Sequence, residues 1–124
     1  MLNIGIEEER PEKLKVNLTG RLDTDTVAEF DSRMAGVLEK KPSVLVINMA
    51  GLEFISSAGI SALFRVQKQV KSAGGQTFLV QLQPQVSKVL EIVRTVDLKS
   101  VFRNVAELEA YLSDIQKKGF GSDS

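Results

Sequence analysis

Two adjacent hydroxyls, Ser56 and Ser57, followed by Ala58-Gly59, are the residues of this chain best placed to do chemistry. They stand where an apolar run, Val44-Leu45-Val46-Ile47-Asn48-Met49, passes through the loop-like Ala50-Gly51-Leu52-Glu53-Phe54 into a helical pattern. A hydroxyl in the first turn of a helix meets free backbone N–H groups and the positive end of the helix dipole, both of which favour a negative charge. A phosphate there would be stabilised by its own chain and would still put about two negative charges on the surface. A switch can be built this way without any catalytic machinery. Serine is also among the best N-caps, and a Ser-Ser pair read in isolation is more often a cap than a switch.

Other chemistry is scarce. The chain has no histidine, so a Ser-His-Asp arrangement cannot be assembled and zinc would find only carboxylates. Lys68 and Lys71 lie three turns or more along the helix from Ser57, too far for a Ser-Lys dyad. No Gly-x-x-x-x-Gly-Lys loop is present, and Gly74-Gly75 and Gly119-Phe120-Gly121 are isolated helix breakers. Asp23 and Asp25 fit helix-start chemistry better than acid–base work. The expectation is a protein that is not an enzyme, with no catalytic residue, no metal site and no cofactor.

The elements that must position the serines follow from periodicity. Leu14, Val16 and Leu18 alternate with polar residues, the mark of a half-buried strand; Ile4 and Ile6 predict a shorter one before it, with Glu7 through Glu12 as a solvated turn. Thr26-Val27-Ala28-Glu29 has capping-box spacing and opens a helix with Val27, Phe30, Met34, Val37 and Leu38 on one stripe, ended by Pro42. The run 44–49 is apolar on both faces, as in a central strand covered by helices. The helix from about Ser57 to Ala73 carries Ile60, Leu63, Phe64 and Val70 as its core stripe and Ser57, Ser61, Arg65 and Lys68 on another face. A strand over 77–82, a helix opened by Pro84 with Val86, Val89, Leu90 and Val93, a short strand at Val101-Phe102, and a last helix capped by Asn104 with Glu107 three residues on complete the pattern. Val105, Leu108, Leu112 and Ile115 form that helix's inward face.

Composition agrees with a small binding module. A chain of 124 residues makes one domain, long enough to bury about two-thirds of its unfolded surface. Sixteen basic and sixteen acidic side chains cancel without forming blocks, which argues against nucleic-acid and membrane partners. Cysteine is absent, so there is no disulfide framework. The amino terminus has no signal-peptide pattern, and no apolar stretch approaches the ~20 residues of a membrane span. A cytoplasmic location is expected.

The stretch from Asn48 to Leu63 resembles the signature of the STAS family, the sulfate transporter and anti-sigma factor antagonist domains. There a buried strand and short loop lead to Asp-Ser-Ser/Thr-Gly at a helix start. Ser57 falls on the position that soluble antagonists of the family phosphorylate, and Gly59 on the motif glycine. Ser56 replaces the usual Asp and Ala58 a second Ser or Thr; many antagonist-like members read Ile-Ser-Ser-Ala-Gly. Gly20-Arg21-Leu22-Asp23 resembles the family's Gly-x-Leu-Asp, a loop that in antagonists lies beside the serine and helps meet the partner kinase. A capping or turn role for Asp23 is the equal alternative. The resemblance runs from roughly Asn3 to Ile115.

That resemblance implies an α/β fold: a single STAS domain over residues 1–116, with a mixed, mostly parallel sheet of about five strands and about four helices packed mainly on one face. Residues 117–124 would be a flexible tail. It also implies a cycle. The unphosphorylated protein binds a GHKL-type serine kinase that acts as anti-sigma factor, the kinase phosphorylates Ser57, the complex parts, and a PP2C-type phosphatase resets the serine. Asp23, Ser56, Ser57, Gly59, Ser61 and Arg65 would form the partner-binding face. Three rival roles belong to the same family: a subunit of a lipid-transport ABC complex, a structural protein of a larger signalling assembly, and a domain of an anion transporter. The start at Met1 and the lack of an apolar span disfavour the last.

Overall fold

The alternating pattern at the amino terminus closes into a hairpin longer than the apolar residues alone mark. In a computed structural model, which describes residues 1–95 and 105–118, β1 (Leu2–Arg10) pairs antiparallel with β2 (Lys13–Leu22) across a turn at Pro11-Glu12. The acid-rich run Glu7 to Arg10, expected as loop, is strand. Glu7 lies opposite Lys15 and takes a hydrogen bond from Asn17 Nδ2 at 2.6 Å, while Glu8 meets Lys40 Nζ at 3.2 Å. Opposite charges and amides across the ladder allow an exposed strand to be acidic.

β2 feeds α1 (Val27–Glu39), whose Phe30, Met34 and Val37 are buried. The chain returns as β3 (Val44–Ile55), parallel to β2. α2 (Ser57–Ser72), β4 (Gln76–Val80), α3 (Pro84–Thr95) and α4 (Val105–Lys118) follow. The sheet order is β1-β2-β3-β4, with β4 parallel to β3. It is a mixed, mostly parallel α/β sheet of four strands among the described residues. The strand expected at Val101-Phe102, the cap expected of Asn104 and residues 119–124 lie outside them. The expected tail began at Lys117; α4 runs to Lys118.

The segment Ala50 to Phe54, expected as a loop, is the second half of β3. Between Asn17↔Asn48 and Thr19↔Gly51 the register slips by one residue, and again between Gly20↔Leu52 and Arg21↔Phe54. Two bulges thus fit the twelve residues of β3 against the ten of β2. Each bulge stretches the inward spacing from two to three, so Met49, Leu52 and Ile55 all stay buried. Period-two counting loses the strand at that point.

One face of the sheet carries the core. Leu14 and Val16 sit beside Leu45 and Ile47 and are fully buried beneath the helices. On the other face Val44, Val46 and Asn48 are half-buried and Phe78 exposed, so β3 is not covered on both sides as expected. Asn48 Nδ2 donates to Asn17 Oδ1 at 3.0 Å across that open face.

Within α2 the buried arc is Gly59, Ile60, Ala62, Leu63, Val66 and Val70. Phe64, expected in the core, is 37% exposed, and Val66 takes an inward place instead. The small residues Gly59 and Ala62 let the helix lie close to the strands on their side, which rotates Phe64 toward the arc of Ser57, Ser61 and Lys68.

Candidate functional site

The ends of β2 and β3 lie side by side, and this pairing builds the serine site. Leu22 pairs with Ile55, and the Leu22 carbonyl accepts from the Ser56 N–H at 2.9 Å. Ser56 then leaves the helix as an extended N-cap (φ −95°, ψ 176°) whose Oγ accepts from the Gly59 N–H at 3.2 Å. It is 1% exposed. Ser56, expected on the partner-binding face, is therefore a buried cap whose hydroxyl is engaged by its own helix.

Ser57 is the first residue of α2 and half-exposed, with Ser61 and Arg65 exposed along the same side of the helix. The structure brings these three together. Arg65 Nη2 reaches both carboxylate oxygens of Asp31 on α1, at 3.2 and 3.0 Å, so its positive charge is shared between two helices. Gly59 is buried, not displayed. A Cβ there would stand 2.6 Å from the Leu22 carbonyl oxygen and 2.9 Å from Ile55 Cγ1, so glycine is what lets α2 start hard against the strand ends.

The Gly20-Arg21-Leu22-Asp23 segment frames the site from β2. Gly20 has φ +108°, and a side chain there would run into the Met1 carbonyl, which also accepts from the Arg21 N–H. The Arg21 guanidinium lies 4.0 Å from the Phe54 ring centroid, a cation–π contact spanning the two strands.

Asp23 works inward. Its Oδ1 accepts from the Asp25 N–H at 3.0 Å and the Thr26 N–H at 3.2 Å, and Arg21 Nε lies 3.4 Å from Oδ2. Burial pushes the carboxyl up, but hydrogen bonds from the Asp25 N–H, the Thr26 hydroxyl, Arg21 and the Thr26 N–H outweigh it and hold it below the usual carboxylate range. The capping box expected at Thr26 does not form: Thr26 makes no side-chain cap bond, and its Oγ1 donates to the Arg21 carbonyl at 2.9 Å while accepting from the Asp23 N–H. Of the two roles open to Asp23, the turn is the one its carboxylate performs.

Gln116 escaped the sequence reading entirely. It is 8% exposed on α4, and its carboxamide holds both backbone groups of Ile55, the residue before the serines. A polar residue near a helix end carries no local signal of such a contact.

Against this geometry the comparisons are specific. The STAS domain family model matches residues 6–108, most of the chain. The chain belongs to the STAS family. Among curated proteins it is 29% identical over 75 residues to BtrV of Bordetella bronchiseptica, provisionally named an anti-sigma factor antagonist. That match covers 60% of this chain and 65% of BtrV, just under two-thirds of the relative.

Solved structures share the fold. An anti-sigma factor antagonist from Mycobacterium paratuberculosis superposes with a TM-score of 0.65 at 20% identity, over 94% of this chain and 95% of that one. The Bacillus cell fate determinant SpoIIAA in its phosphorylated form gives 0.62 at 17% identity, over 82% and 98%. An unphosphorylated SpoIIAA structure gives 0.61 at 20%, over 73% and 83%. No helix among the described residues is long and apolar enough to cross a membrane.

Proposed function

We propose that this STAS domain is an anti-sigma factor antagonist switched by phosphorylation of Ser57. The observation that carries the reading is the division of labour between the serines. Ser56 is the buried cap, so Ser57 is not required for that task and stands half-exposed in the first turn of α2. The name of BtrV and the existence of SpoIIAA in phosphorylated and unphosphorylated forms support the same role.

In this reading the unphosphorylated domain docks through the Ser57, Ser61 and Arg65 side of α2 onto a GHKL-type serine kinase that also holds a sigma factor or another output protein. The kinase brings ATP and magnesium and transfers the phosphoryl group to the Ser57 hydroxyl. A PP2C-type phosphatase with its own metal removes it. The antagonist is a binding module in this cycle and supplies no cofactor.

Incubation with ATP and the cognate kinase, followed by phosphopeptide mapping, tests the assignment. Phosphate is expected on Ser57 alone, and Ser57→Ala should abolish incorporation while leaving binding largely intact. Phosphate mapping to Ser61, or stable co-purification with a transporter ATPase and no phosphorylation, would overturn it.

A further inference from the structure

β3 outruns its neighbour. β4 pairs with it only from Val44 to Asn48, whereas β3 continues to Ile55. Beyond Asn48 no strand flanks β3 on that side among the described residues, and side chains of one type occupy the edge instead. Gln83 Nε2 donates to the Ala50 carbonyl at 2.7 Å, and Gln85 Nε2 to the Glu53 carbonyl at 3.1 Å. Gln116 closes the row. Its Oε1 accepts from the Ile55 N–H at 2.7 Å, and its Nε2 donates to the Ile55 carbonyl at 2.9 Å and to the Leu112 carbonyl at 3.1 Å.

A carboxamide presents an acceptor and a donor side by side, as one residue of an adjacent strand does. Gln83 and Gln85 are half-buried and each supplies a single bond to β3, whereas Gln116 is buried and supplies two to the same residue. Ile55 is also the last strand residue before Ser56-Ser57. On its far side the Leu22 carbonyl holds the Ser56 N–H, so the entry to α2 is gripped from β2 and from α4 at once.

We propose that Gln116 is a positioning residue for the serine switch: by completing the edge of β3 at Ile55 it fixes the helix start that presents Ser57. The inference rests on the phosphorylation reading for its purpose, but its physical content is the restraint itself. A displacement of α4 would be transmitted through two hydrogen bonds to the residue preceding the serines.

Amide hydrogen exchange tests this. In Gln116→Met, which keeps an unbranched side chain of similar length and removes both partners, the Ile55 amide should exchange about tenfold to hundredfold faster. The Gly59 and Ile60 amides, bonded to the Ser56 side chain and carbonyl, should follow it. Leu45 and Ile47, deep in the same strand, report global stability and should change much less. Should Gln116→Met not fold, Gln116→Ala carries the same test, because it too removes both partners of Ile55 and keeps a good helix former in α4.

With the cognate kinase, the folded variant should show a kcat for Ser57 phosphorylation reduced about tenfold, the upper end of the net worth of one hydrogen bond, with little change in KM. Loss of protection at Ile55 in step with Leu45 and Ile47, or at Ile55 without Gly59 and Ile60, would overturn the inference. So would unchanged kcat. Phosphate found elsewhere than Ser57 in the wild type would instead sink the phosphorylation reading and leave the exchange result standing.

Discussion

A methyl group on Gly59 would stand 2.6 Å from the Leu22 carbonyl oxygen, whereas one on Gly36, exposed on α1, would meet nothing within 4 Å. Gly59→Ala should therefore destabilise by about 1–3 kcal/mol through forced backbone movement. Gly36→Ala should be neutral or stabilise by up to about 1 kcal/mol through helix propensity. Urea denaturation of the two variants separates these outcomes, and equal losses would contradict the packing role of Gly59. Asp23 gives a pH signature. Its folded-state pKa lies below its ordinary value, so its contribution is fully present above the unfolded pKa of about 3.9 and is lost as pH falls through the lower folded value. Thermal melts should show wild type more stable than Asp23→Ala at neutral pH, with the gap closing in acid below about pH 4. A gap that widened in acid would be contrary to the hydrogen bonds described. The position of Ser57 at the start of α2 was legible because its motif is local: a strand, two hydroxyls, a small residue and a glycine. The choice between Thr26 and Asp23 as the group that organises the start of α1 was not. Both are good caps three residues apart, and the Arg21 carbonyl, placed by the end of β2, takes the Thr26 hydroxyl away from the helix.

At the scale of elements, α2 decides which side chains a partner can reach. Leu63 is fully buried, so Leu63→Ala should cost about 2–5 kcal/mol. Phe64→Ala should cost markedly less, since the ring is 37% exposed. The Arg65–Asp31 pair is about half exposed on both sides, so Arg65→Glu should lower stability by no more than about 1 kcal/mol while weakening partner binding. Comparable thermal losses for Leu63→Ala and Arg65→Glu would mean that the helix presents a different face. The sequence pattern located α2 and its Ser57, Ser61 and Arg65 side, but misassigned Phe64 because counting large apolar residues ignores the small ones. Gly59 and Ala62 are as buried as the leucines and turn the helix about its axis. The strand that precedes α2 was cut short for a related reason. Each bulge in β3 breaks the period of two while keeping Leu52 and Ile55 in the core, so alternation stops being visible before the strand stops.

For the whole molecule, the fold class was legible because strand and helix periods alternate cleanly along the chain, and the mixed sheet follows from a hairpin leading into parallel crossovers. The open face was not, because Val44 and Val46 read as core residues, yet among the described residues the helices roof the face bearing Leu45 and Ile47 and leave Val44 and Val46 half-buried. Nor was the glutamine edge, since it depends on α3 and α4 returning to a strand more than thirty residues away. On the proposed reading, this scaffold should hold a phosphorylated Ser57 without unfolding. A phosphate at the start of α2 gains about 0.3–2 kcal/mol from the helix dipole and free amides. Burying it in a docked interface without cationic partners costs several kcal/mol, and about 4 kcal/mol already means roughly a thousandfold in affinity. The loss at the interface exceeds the local gain, so binding should respond and folding should not. Calorimetric titration of unmodified and Ser57-phosphorylated protein into the cognate kinase, beside thermal melts of both forms, tests this most directly. The predicted result is an affinity lower by about a thousandfold for the phosphorylated form, with closely similar melting temperatures. Equal affinities for the two forms would contradict a phosphorylation switch at Ser57.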